Sequence, residues 1–429
     1  SSHSDSSAGI MALTLPHASA SKWKVPPRYE VKAIIGSGSY GSVCEAYDKK
    51  TKSTVAIKKI GALFDDLTDC KRILREVAIL TRLDHPHVVR IHDVVEPPSW
   101  RSFNELFIVM EKCDSDLKKL FKTGARISFS TANALLYSTL VGLKYIHSAG
   151  IYHRDLKPAN CLVDGDSVKI CDFGLSRAVP RSQGASPQSP ELPSTPPASP
   201  RGSQGTASTD SRADDPHAQR RARMLTRHVV TRWYRAPEVI LLPSEYTTAI
   251  DIWSVGCILC ELLGRRAIFT GKDHLDQVRK ILAVLGTPGP EDLSWLPSSG
   301  PAMKFLNRLP RCERREWSAV YPKASAECRE AIDRMLTFHP SKRPTAKAAL
   351  ELPYLDSLHV PGDEPVAERV VDWSFDRFKP TKRLLQNAIY AECCEYHPEI
   401  AHRDADLLAE RNLASLVNWT AVRRGAVCA

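Results

Sequence analysis

Apolar positions along the chain change period several times, and each change predicts an element. From about Tyr29 to about Ile60, apolar residues alternate with glycines and charges, the pattern of strands joined by hairpins. Over residues 66–83 the period lengthens: Ile73, Val77 and Leu80 fall at i, i+4 and i+7, which predicts an amphipathic helix. The run LFIVM, residues 106–110, reads as a buried strand. Residues 130–149 place Leu136, Leu140 and Leu143 on one helical face, with Gly150 as a stop signal. Helical periodicity returns at about 249–263, 273–285 and 325–337. A strand-rich start followed by a helix-rich bulk predicts a two-lobed α+β protein, and no internal repeat appears.

The pattern lapses in two places. Residues 1–24 are rich in Ser and Ala and read as a flexible tail. Residues 181–223 contain no Phe, Trp, Tyr, Ile or Val, so nothing there can build a core, and a disordered insertion is expected. Composition adds limits. A chain of 429 residues that is 43% hydrophobic suffices for a sizeable core, and 25% charge excludes disorder throughout. The net charge of +10 reads as a solvated basic surface, and no zinc finger, RRM or homeodomain signature points to nucleic acid. Twelve cysteines follow no framework spacing. Cys257 and Cys260 sit on one face of an apolar helix and read as core packing rather than zinc ligands. Reduced thiols and a cytoplasmic or nuclear home fit this usage. No apolar run approaches the ~20 residues that span a bilayer, and the N-terminal stretch lacks the basic region of a signal peptide.

Against that background, several polar clusters carry chemistry. Gly36, Gly38 and Gly41 form G-x-G-x-x-G, with Val43 two residues on. The glycines run into another strand pattern, so the loop is either a phosphate-approaching strand–turn–strand or an ordinary glycine hairpin. Next comes Val55-Ala56-Ile57-Lys58, in which Ala56 and Lys58 share one strand face. Glu76 on the following helix is a natural partner for the Lys58 ammonium. The strongest signal is His153-Arg154-Asp155-Leu156-Lys157-Pro158-Ala159-Asn160, followed by Asp172-Phe173-Gly174 and Ala236-Pro237-Glu238.

This ordered set resembles the signatures of protein kinases. The resemblance implies a bilobal kinase fold, with a small β-rich N-lobe bearing one helix and a larger, mainly helical C-lobe. Phosphoryl transfer depends on positioning and charge neutralisation more than on covalent help. Asp155 is then the residue that orients the acceptor hydroxyl and takes its proton, and Lys157 the cation beside the transferred group. Asn160 and Asp172 supply hard oxygen ligands for Mg²⁺, and Lys58, held by Glu76, reaches the phosphates of ATP. A scaffold that keeps the fold without turnover is the alternative, but all of these residues are present.

Within the protein kinases, the stretches 231–241 (TRWYRAPEVIL), 275–288 (LDQVRKILAVLGTP), 335–346 (MLTFHPSKRPTA) and 353–365 (PYLDSLHVPGDEP) resemble the mitogen-activated protein (MAP) kinases. Similarity runs from about Tyr29 to about Glu364 around the insertion. It implies an ATP site lined by Ile35, Gly36, Gly38, Gly41, Val43, Ala56, Lys58, Met110, Glu111, Cys113, Asp116, Leu162 and Cys171. Met110 is the expected gatekeeper, and Glu111 and Cys113 the expected hinge. Arg343 should pair with Glu238, and Asp251 should brace the catalytic loop. The resemblance also implies protein substrates carrying Ser/Thr-Pro sites, an upstream activating kinase, docking-motif peptides and a monomeric chain.

Two departures stand out. The family's Thr-x-Tyr activation motif is here Thr226-Arg227-His228. His228 cannot carry the second phosphate, so a single phosphate on Thr226 is expected, met by Arg75, Arg154 and Arg177. The second departure is the insertion, which holds Ser186-Pro187, Ser189-Pro190, Thr195-Pro196 and Ser199-Pro200. An acidic docking patch ends in Asp363 and Glu364, with Val360 where another acid is often found. The expected organisation is a tail over 1–24 and a kinase domain over 25–356, with its N-lobe at 25–110 and C-lobe at 114–356. A C-terminal extension over 357–429 then packs on the lobes, its end from 404 loose.

Overall fold

The computed structural model describes residues 23–38, 41–99, 102–124, 126–179, 231–242 and 247–410. Five antiparallel strands form the N-terminal sheet in the order β1-β2-β3-β5-β4: β1 (Tyr29–Gly38), β2 (Gly41–Asp48), β3 (Ser53–Ile60), β4 (Ile91–Val94) and β5 (Leu106–Glu111). One face of this sheet packs Cys44, Val55, Ile57, Phe107 and Val109 into a small core. Trp23 joins that core 6.4 Å from the Phe107 ring, so the expected tail is shortened at its end. The other face meets α1 (Leu67–Arg82). Asp66 caps this helix by accepting from the backbone N–H groups of Thr68 and Asp69, which satisfies two donors that the first turn leaves unpaired. Its buried face carries Ile73, Val77 and Leu80, the three residues whose spacing predicted it.

Below the sheet the chain is mostly helical. After α2 (Leu117–Lys122) comes α3 (Phe129–Ser148), capped by Ser128 and closed by Gly150 at φ +74°. A Cβ on Gly150 would lie 2.6 Å from Val370 Cγ1, so both conformation and space demand glycine there. α4 (Pro237–Leu241) precedes α5 (Ala249–Gly264), which is buried along nearly its whole length. Cys257 and Cys260 pack inside α5 as free thiols. α6 (His274–Leu285), α7 (Pro301–Asn307), α8 (Trp317–Val320), α9 (Ala326–Met335) and α10 (Ala346–Leu350) complete this part. Short strands β6 (Ser115–Asp116), β8 (Cys161–Asp164) and β9 (Ser167–Ile170) form a three-stranded sheet, and β7 (Ile151–Tyr152) pairs with β10 (Arg177–Ala178). A β-rich N-lobe above a larger helical region is the bilobal kinase architecture expected from the sequence.

From Glu364 the chain returns to the N-lobe. α11 (Lys382–Tyr396) lies along α1, where Glu392 takes two hydrogen bonds at 3.0 Å from Arg82. His397 holds Asp93 of β4 at 2.7 Å, and Asp93 also accepts from the Tyr29 hydroxyl. α12 (Pro398–Arg403) and α13 (Ala405–Glu410) follow; the end expected to be loose is thus folded through 410. The insertion over 181–223, Thr226 and residues 411–429 lie outside the described residues. Among the described residues no helix is long and apolar enough to cross a membrane.

Candidate active site

The glycine loop is the turn between β1 and β2. Gly36 pairs with Val43 across it, and Val43 in turn faces Lys58 of β3. The three glycines are not equivalent. A Cβ on Gly41 would sit 1.8 Å from the Lys59 carbonyl oxygen, so the bare Cα lets β2 begin against β3. A Cβ on Gly36 would meet Val43 Cβ at an ordinary 3.8 Å, and one on Gly38 would meet nothing within 4 Å. Those two positions leave the backbone open to a ligand. Gly41→Ala should therefore destabilise the sheet by about 1–3 kcal/mol, read by thermal unfolding, whereas Gly38→Ala should leave stability unchanged.

Ala56 lies opposite Met110 across β3 and β5. Lys58 Nζ donates to both carboxylate oxygens of Glu76, at 2.7 and 2.8 Å. Burial disfavours the ammonium, but Glu76 and then Asp172 outweigh it and hold Lys58 above its ordinary pKa. The hinge follows β5. Glu111 accepts from the Arg90 N–H at 2.8 Å and pairs with Lys169 at 2.9 Å, so its side chain ties the hinge to β4 and β9. Burial pushes the Cys113 thiol up to about 12. Asp116 caps α2 through the Lys119 N–H and pairs with Leu162 across β6 and β8. Lys119 Nζ reaches the Ile35 carbonyl at 3.3 Å, joining the glycine loop to the lower lobe. Burial, then the neighbouring Asp172 and Glu76 carboxylates, raise the Cys171 thiol well above its usual value. Cys171 packs against the hydrophobic core.

The catalytic-loop residues hang from one buried carboxylate. Asp251 of α5 accepts from the N–H groups of His153 and Arg154, both at 2.8 Å, and from His147 at 2.9 Å. Burial opposes its charge, yet His147 first and then His153 keep its pKa below the ordinary value. This grip matters because Arg154 has φ +68° and Asp172 has φ +67°, a region costly for side chains other than glycine. Phe173 is fully buried with its ring edge-on to His153, 5.0 Å between centroids. Together these contacts fix the loop and the Asp172 turn. Lys157 Nζ donates to Asp155 Oδ2. Asn160 Nδ2 donates to the Asp155 backbone oxygen at 2.9 Å and to its Oδ2 at 3.3 Å. The Asn160 amide is thereby oriented with its oxygen as the acceptor, a hard donor suited to a cation of the Mg²⁺ type.

Arg75, Arg154 and Arg177 lie close enough to repel. Burial first, then Arg75 and Arg154, bring the Arg177 guanidinium down to about 10. Arg75 donates to the Gly174 carbonyl at 2.5 Å, and Arg177 to the Ser176 carbonyl at 2.8 Å. Arg343 pairs with Glu238 as expected, at 2.6 and 2.8 Å. Glu364, expected at the end of an acidic docking patch, is buried and bonded to Lys144, Tyr137 and His359, while Asp363 is exposed. Sequence reading missed His147, Lys71 and Asp376, none of which falls in a motif.

The Lys58–Glu76 pair of the N-lobe and the braced Asp155–Asn160–Asp172 stretch of the helical region together define a protein kinase. The protein kinase domain family matches residues 29–196 and 208–355, and the chain belongs to that family. Its relatives are MAP kinases. It is 37% identical over 383 residues to mitogen-activated protein kinase 5 of Oryza sativa, covering 89% of this chain and 93% of the relative. To the mitogen-activated protein kinase homolog NTF6 of Nicotiana tabacum it is 39% identical, covering 85% of this chain and 87% of the relative. To extracellular signal-regulated kinase 1 of Dictyostelium discoideum it is 38% identical over 88% of this chain, and it spans 64% of that protein's length. The chain is a MAP-kinase-like Ser/Thr protein kinase.

Proposed function

We propose that this kinase transfers the ATP γ-phosphoryl group to Ser or Thr hydroxyls followed by proline, with Mg²⁺ as the divalent ion. The observation that carries this reading is the closed Lys58–Glu76 pair above an ordered Asp155–Asn160–Asp172 loop. Ala56, Met110, Leu162 and Val43 form an apolar slot for the base. Lys58 neutralises phosphate charge, and Glu76 stops the ammonium from swinging away. Asp155, held by Lys157 and Asn160, aligns the acceptor hydroxyl and takes its proton. Asn160 and Asp172 would hold Mg²⁺, which when bound offsets phosphate charge. Nothing observed favours a scaffold without turnover. A Mg-ATP assay on paired peptides bearing Ser-Pro or Ser-Ala tests the reading; equal rates on both would remove proline direction.

Regulation in this reading is by one phosphate. An upstream kinase phosphorylates Thr226, and the ≈ −2 charge draws Arg75, Arg154 and Arg177 together. Thr226→Ala should lower the kcat/KM of activated protein at least tenfold, measured on the same peptide; an undiminished value would refute the single-phosphate switch. Docking peptides meet a reduced acidic surface, because Glu364 is spent inside and Asp363 alone of the two faces solvent. The kinase works as a monomer in the cytoplasm or nucleus, without nucleic acid.

A further inference from the structure

The helix that carries Glu76 is gripped by a segment some three hundred residues further along the chain. The turn Ser374–Asp376 of the extension lies against α1. Lys71 donates to the backbone oxygens of Asp376 at 2.7 Å and Phe378 at 2.6 Å. Arg75 donates to Asp376 Oδ1 at 2.9 Å with one guanidinium nitrogen, and to Gly174 of the activation segment with the other. One turn or more further on, Arg82 stacks over the Phe375 ring at 5.2 Å. The same short stretch therefore touches α1 at three points along its length.

Arg75 directly precedes Glu76, so fixing its guanidinium fixes the rotation of α1 and with it the carboxylate that holds Lys58. The Arg75 side chain is 5% exposed and that of Asp376 17%, so the pair is mostly out of water, where a charge-assisted bond counts for more than on the surface. Arg154 and Arg177 stand nearby with the same sign of charge. Burial first lowers both Arg75 and Arg177, and Asp376 opposes that shift on each.

The geometry points to Asp376 as a positioning residue for phosphoryl transfer, its carboxylate keeping Arg75, and through α1 the Lys58–Glu76 pair, in place while the activation segment carries no phosphate. Two anions then serve one arginine cluster, one built into the extension and one added at Thr226. The second half of this statement rests on the Thr226 reading; the first half does not.

The test uses the full chain with Thr226→Ala, to which Asp376→Ala or Asp376→Glu is added, assayed with Mg-ATP and a Ser-Pro peptide. Asp376→Ala should lower kcat/KM about tenfold or more, and Asp376→Glu should restore most of it. In the chain with Thr226 intact and stoichiometrically phosphorylated, Asp376→Ala should cost less than about threefold, because the phosphate supplies the missing charge. An unchanged rate in the Thr226→Ala chain, or an equal fall in both forms, overturns the proposal; the equal fall would mark Asp376 as a mere packing element. The Thr226 reading is judged separately, by comparing Thr226→Ala with its parent while Asp376 is intact. Should those two be equal, Thr226 is no switch, and the Ala-against-Glu comparison at 376 still decides for or against Asp376.

Discussion

Asp155→Asn lowers kcat by about 10²–10⁴-fold while leaving the fold and ATP binding in place. The asparagine has nearly the shape of the aspartate, and its oxygen can still accept from Lys157 and Asn160, which hold the carboxylate in the parent. What it loses is the negative charge and the basicity that receive the proton of the acceptor hydroxyl. The substitution therefore acts in the transition state and should leave the KM for ATP nearly unchanged. Steady-state rates on a Ser-Pro peptide, with nucleotide binding measured in parallel, separate the two effects. A variant that keeps more than a tenth of the parent turnover would remove Asp155 from the proposed chemistry. The same variant guards against a contaminating kinase, whose activity would survive the change.

Arg343→Met unfolds the protein at a temperature lower by roughly 5 °C. Arg343 and Glu238 are buried, with side chains 0% and 4% exposed. Beyond the paired bonds to Glu238, Arg343 donates to the backbone oxygens of Thr337, Ala249 and Phe338, and it lies 4.9 Å from the Trp253 ring centre. It thus joins α4, α5 and the turn after α9. Methionine fills much of the volume but strands the Glu238 carboxylate, and breaking a buried pair in this way costs about 3–5 kcal/mol. At about 1 °C per kcal/mol for a chain of this size, from an unfolding entropy of about 2 cal/mol/K per residue, the shift is large enough for a thermal melt to read. Adding Glu238→Gln to Arg343→Met should recover part of the loss, since the stranded charge is then gone. An unchanged melting temperature in the single variant would contradict this account.

The long elements were legible because their faces differ. α1, α3, α6 and α9 each bury one side against a neighbour, and a 3.6-residue period shows in the sequence, whereas α5 is buried nearly all round and shows as an apolar run. β6, β7 and β10 have two residues each, and β4, β8 and β9 four, too few for alternation to register. The site divides the same way. Asp155, Asn160 and Asp172 lie within one short stretch whose chemistry fixes its spacing, so their grouping could be read directly. His147 and Asp376 touch the site's supports from 104 and 301 residues away, and contact across such a gap leaves no periodic trace. Glu111 shows a subtler limit: its place in the hinge was legible, but not the pairing of its carboxylate with Lys169.

The family match ends at residue 355, yet the molecule does not stop cooperating there. Leu385, Ile389, Tyr390 and Cys393 bury themselves beside the N-lobe helix, and Glu392 and His397 anchor to it and to its sheet. A fragment trimmed to the matched boundary would lay bare the outer flank of that helix and take Glu392 from Arg82 and His397 from Asp93. The cooperating fold of this enzyme is therefore longer than its recognisable motif region by some fifty residues.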